Sequence, residues 1–185
     1  MKIKVFGKSL VFFLILFMGI VPTVSAFDSP VTRATLSGLQ GVNVVIEDLN
    51  QTIIKYNKYL KKVDFTKEDL QIYVESELSK AGIRILTREQ LLKTPGMPFL
   101  YININSHESE NYWFAYDIRV ELQQLVSMEA NPQVKAPAAT WSISVTGAAN
   151  IGTLDRIKKD LGVLTGRFVQ AYRAVNMSQG KAPLF

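Results

Sequence analysis

Between Phe99 and Val126 the chain alternates apolar and polar residues with a period of two. Leu100, Ile102 and Ile104 fall on one side, followed after a polar break by Phe114, Tyr116, Ile118, Val120 and Leu122. Tyr101, Asn103 and Asn105, then Asp117, Arg119, Glu121 and Gln123, fall on the other. Successive side chains of a strand point to opposite faces, so the pattern predicts two half-buried strands. Residues 106–111 (SHESEN) are the expected turn between them. A further run alternates Trp141, Ile143 and Val145 with Thr140, Ser142, Ser144 and Thr146, and predicts another strand of the same kind. Residues 131–137 (NPQVKAP), with two prolines, are expected to turn the chain before it.

Other stretches step by three and four. Thr66 is a suitable N-cap, with Asp69 at the third helical position, where an acid favours the positive end of the helix dipole. Leu70, Tyr73, Val74, Leu78 and Ala81 then mark one helical face. Gly82 is expected to end the helix in the left-handed conformation, with Ile83 folding back onto its last turn. A long terminal helix is predicted from about Thr153 to Asn176, striped by Leu154, Ile157, Leu161, Leu164, Phe168, Tyr172 and Val175. Gly162 and Gly166 share one side of it, where a close approach would offset their poor helix propensity. Residues 50–63 predict a short basic amphipathic helix, and Thr87–Gln90 is a capping box opening one helical turn to Lys93.

Two shorter strands complete the pattern, at Gly41–Asp48 and Ile83–Leu86, the second parallel to the first after the intervening helix. The predicted fold is α+β, a two-layer α/β sandwich. It has a mixed, mostly antiparallel sheet of about five strands and two main helices on one face.

Composition changes the picture mainly at the N-terminus. Lys2, Lys4 and Lys8 precede the apolar run Leu10–Val21, then Pro22 and the small residues of Val24-Ser25-Ala26. That order predicts a secretion signal over residues 1–26, cleaved before Phe27. The run is short for a bilayer span, which takes about 20 residues, so no stable transmembrane span is expected after cleavage; an uncleaved N-terminal anchor is the competing reading. Residues 27–35 are expected as a flexible leader, 36–177 as one domain and 178–185 as a disordered tail. Three of the 21 basic residues and none of the 16 acidic ones lie in the signal, so more than half of the formal +5 charge goes with it. What remains gives no reason to expect a nucleic-acid partner. The absence of cysteine excludes disulfides, thiol catalysis and thiolate metal sites.

Candidate chemistry is sparse. His107, the single histidine, stands at the expected hairpin tip beside Glu108 and Glu110, without the further ligands a metal ion needs. Glu47 and Asp48 close the first strand. Asp117 and Glu121 flank Arg119, about 13 Å apart along a strand, which favours ion pairs over a hydrolytic dyad. The small residues of Thr146–Thr153 suit an Asn or Thr helix cap better than an anion site, since neither a P-loop nor a dinucleotide fingerprint is present. No catalytic residue, metal ligand or cofactor is assigned. The candidate binding surface is the polar sheet face: Tyr101, Asn103, Asn105, Asp117, Arg119, Glu121, Ser142 and Ser144.

Residues 38–49 (GLQGVNVVIEDL), 70–86 (LQIYVESELSKAGIRIL), 116–126 (YDIRVELQQLV) and 164–176 (LTGRFVQAYRAVN) resemble an uncharacterised family of small exported bacterial proteins. The resemblance covers most of the chain beyond the signal and implies a two-layer α/β periplasmic module. Its motifs are core positions, so it brings no activity and no catalytic residues. The expected function is that of a periplasmic or secreted envelope protein, a non-enzymatic binding or assembly module for a protein or glycan partner. A carboxylate-dependent envelope hydrolase is one alternative. Another is a subunit of an envelope transport or assembly complex that uses the edge strand or the terminal helix stripe.

Overall fold

The computed structural model describes residues 28–60, 65–109 and 112–176. The expected secretion signal and C-terminal tail lie outside them. The described chain is α+β. Four strands form one mixed sheet in the order β1 (Asn43–Ile46), β2 (Phe99–Glu108), β3 (Trp113–Met128) and β4 (Asn131–Asn150). β1 runs parallel to β2, and the other two pairs are antiparallel. The α-helices are α1 (Pro30–Ala34), α2 (Gln51–Leu60), α3 (Lys67–Lys80), α4 (Arg88–Lys93) and α5 (Asp155–Asn176). Among the described residues, no helix is long and apolar enough to cross a membrane.

The alternation sorts the sheet into a dry and a wet side. Leu100, Ile102, Ile104, Phe114, Tyr116, Ile118, Val120, Leu122, Trp141 and Ile143 are buried. They form one core with Leu70, Val74 and Leu78 of α3 and with Leu154, Ile157, Leu161, Leu164 and Phe168 from the terminal helical stripe. Each such side chain contributes about 1.5–3 kcal/mol relative to exposure. Trp141 meets Phe168 edge to face at 5.4 Å, tying the outer strand to the middle of α5.

The local signals position these helices. Thr66 and Asp69 form a reciprocal capping box at the start of α3, and Thr87 and Gln90 do the same for α4. At the end of α3, Gly82 takes φ +80°, which an L side chain resists. The Gly82 N–H then reaches the Ser79 carbonyl and the Ile83 N–H the Leu78 carbonyl, so the orphan carbonyls are satisfied and Ile83 is buried.

Several expectations are corrected. Among the described residues the sheet has four strands where about five were expected, because Ile83–Leu86 forms only one parallel bridge, Ile85 to Val42. Thr87 caps α4 immediately after Leu86, which leaves no length for a strand. Residues 131–137 are not a turn. They open β4, and the reversal is made by Glu129 and Ala130. β4 is an edge strand, where proline costs no ladder bond if its nitrogen faces outward. Likewise Ser106, His107 and Glu108 extend β2, opposite Tyr116, Ala115 and Phe114.

The stretch expected as a loose leader holds α1. Ser29 caps it, and Asp28 joins it to the domain by accepting from Arg33 at 2.6 and 2.7 Å and from Trp141 Nε1 at 3.0 Å. Of the paired glycines in α5, only Gly162 is closely approached, by the Tyr73 hydroxyl, while Gly166 faces open space.

Candidate functional site

The wet side of the sheet is built in rungs. Register places Tyr101, Glu121 and Ser142 across one line, Asn103, Arg119 and Ser144 across the next, and Asn105, Asp117 and Thr146 across a third. All eight residues expected on a common face are therefore brought together. The grouping does not depend on where the chain reverses before β4, because period two alone decides which face a side chain takes.

Two further residues join them. Glu47 follows β1, its N–H bonded to the Ile102 carbonyl, and its carboxylate accepts from Tyr101 OH at 2.5 Å and from Asn103 Nδ2. The signal for it was the second face of β1, where Val45 pairs with Tyr101. Thr146 continues the polar alternation of Ser142 and Ser144, although the candidate surface stops at Ser144. It lies within β4 and donates to Asp117 Oδ2 at 2.9 Å.

Mutual hydrogen bonds hold the face. Asn105 Nδ2 donates to Asn103 Oδ1 at 2.5 Å, and Gln123 Nε2 donates to Glu121 Oε2 at 2.7 Å. Arg119 Nη1 stands 3.9 Å from Glu121 Oε1, a loose surface pair of small energetic weight. The Tyr101 and Asn103 donors hold the Glu47 carboxyl below the usual carboxylate range, and donating to that carboxylate pushes the Tyr101 phenol up. Glu47 is thus an anion with one oxygen, Oε2, held by two neighbouring donors. At the end nearest the β2–β3 turn, Trp113 is 48 % exposed and pairs with Asn150. Strand parity sets it on the same side as Asp117 and Arg119.

The carboxylates do not converge. Asp117 and Glu121 stand two rungs apart on one strand with Arg119 between them, and each has its own neighbour. Glu47 and Asp48 part, the first to the sheet face and the second to Lys67 Nζ at 2.6 Å. His107 is exposed on β2. Among the described residues, no three His, Cys, Asp or Glu side chains are grouped to hold a metal ion. The small residues 146–150 are spent in β4, and Asn150 caps a single 3₁₀ turn (Ile151–Thr153), as the capping reading expected.

The terminal helix stripe is part of the core, so it offers no docking surface. No protein-family model matches the chain, and no curated protein matches it either.

Proposed function

We propose that the protein is an exported, non-enzymatic binding or assembly module of the cell envelope, and that its contact surface is the wet face of the sheet. The observation that carries this reading is the three-rung array of amides, hydroxyls and charges, in which Tyr101, Asn103, Asn105, Asp117 and Glu121 are held by hydrogen bonds to their neighbours. Side chains already held in place lose little rotamer freedom when a partner arrives, which favours recognition. The partner is a protein or a glycan, since both present the donors and acceptors such a surface pairs with. The signal-like N-terminus supports export, and the resemblance to small exported proteins points the same way.

A photo-crosslinking residue placed at Asn103 or Ser144, in cells producing the full chain, tests the proposal. A discrete protein or glycan adduct is expected from both positions and not from Ile72, which is exposed on α3. Equal labelling from Ile72, or no adduct from the sheet face, would overturn it.

A further inference from the structure

The outer edge of β4 changes character at Trp141. Along residues 131–140 the edge carries Pro132, Lys135 and Pro137, which discourage a strand from settling beside it. The Thr140 carbonyl is occupied by the Thr35 hydroxyl at 3.3 Å. From Trp141 to Ala149 there is no charge and no proline. Among the described residues no strand pairs with that side of β4. A long uncharged edge of this kind is a template for another strand. Beside it, Ser144 and Val145 line a groove of about 90 Å³ with Asp160, Val163, Leu164 and Arg167 of α5. Val163 is 58 % exposed, although the α5 stripe next to it is buried.

We propose that two copies of this chain pair through this edge, β4 against β4 and antiparallel, into one sheet continuous across a two-fold axis. A two-fold contact uses the same patch on both copies, so the patch must complement itself. With Val145 opposite Val145, Ser144 falls across from Thr146, and the dry and wet faces both continue through the join. The two α5 helices then lie antiparallel above the axis. Val163 and Leu164 sit midway between Asp160 and Arg167 on that helix, so Asp160 of each copy, whose Oδ2 accepts from its own Tyr116, turns its other oxygen to Arg167 of the partner copy. Val163 meets its counterpart near the axis. A foreign strand would find the same backbone groups but not this reciprocal charge match, which gives the specificity.

Sedimentation velocity and an introduced thiol test the pairing. The chain has no cysteine, so V163C is a clean reporter, and I72C on α3, also exposed, is its control. Protein purified from the full chain should sediment as a dimer, and mild oxidation should link V163C into covalent dimers but leave I72C as monomer. R167D, which sets two acids against each other, should raise the dissociation constant about tenfold, and D160N/R167D, which removes the opposed acid but keeps an acceptor for the Tyr116 hydroxyl, should recover most of it. Circular dichroism establishes that each variant is folded. Should a charge variant fail to fold, the V163C comparison decides. A monomer at every concentration, equal linking of V163C and I72C, or a folded R167D that pairs as tightly as the parent would each overturn the proposal.

Discussion

Tyr116 donates its phenolic hydrogen to Asp160 Oδ2 at 2.5 Å, linking β3 to α5, and its ring lies over Gly147 of the neighbouring strand. A Cβ at position 147 would stand 2.5 Å from that ring. The glycine is therefore required by a close approach. G147A should cost about 1–3 kcal/mol by overpacking. Y116F keeps the ring and loses only the bond to a half-exposed carboxylate, so about 1–2 kcal/mol is expected. Chemical denaturation of both variants checks the order. Their costs should not add in the combination of G147A with Y116L, because the leucine removes the atoms the new methyl meets.

The same phenol sets an alkaline limit. Burial, and then the bond to Asp160, push Tyr116 up to about 12. An unfolded tyrosine titrates near 10, so the folded chain holds this proton more tightly. The contribution is complete below about pH 10 and is lost as pH rises through about 12. Unfolding free energy should fall across that window, and Y116F should flatten the decline. Ultraviolet titration of phenolate alongside denaturation curves measures both.

On the acid side Asp28 is one of the carboxyls held low, together with Glu47, Asp69 and Asp155. Its hydrogen bond from Arg33 is the main reason its carboxyl lies below the usual range, and Trp141 adds to the effect. A lowered carboxylate stabilises fully above its unfolded value near 4, and the benefit is lost as pH falls through the folded one. D28A removes the partner of the Trp141 indole N–H and is expected to cost about 1–3 kcal/mol. A shallower acid-side slope in D28N than in the parent, followed by urea unfolding from pH 6 downwards, separates the charge effect from packing.

The two glycines of α5 should respond in opposite directions. At Gly166 nothing lies within 4 Å of an added methyl, so G166A should stabilise by about 0.5–1 kcal/mol through helix propensity. At Gly162 the Tyr73 hydroxyl occupies the space a methyl would take. There the propensity gain is offset by displacement of Tyr73, so G162A should be neutral or destabilising. Thermal denaturation of both variants distinguishes them.

Much of the fold was legible because it rests on short-range rules. Thr66, Thr87 and Gly82 act through hydrogen bonds to residues within five positions, so their roles could be read locally. The α5 stripe and the dry face of β2 and β3 followed from periodicity. The errors arose where position in the sheet decided. Pro132 and Pro137 mark a turn in isolation but are tolerated in β4 because it is the outermost strand. Ile83–Leu86 has strand composition, yet only Ile85 reaches Val42 before the chain enters α4. Asp28 gave no pattern at all, since its partner Trp141 is far along the chain.

For the candidate face, the sequence by itself determined which side chains share a side, because alternation along a strand is a property of the backbone. Only the tertiary structure decided which residues stand rung to rung. It brought Glu47 beside Tyr101 and Asn103, and among the described residues it left one edge of β4 without a neighbouring strand. Strand order and register depend on contacts between distant segments, and local pattern carries no record of those.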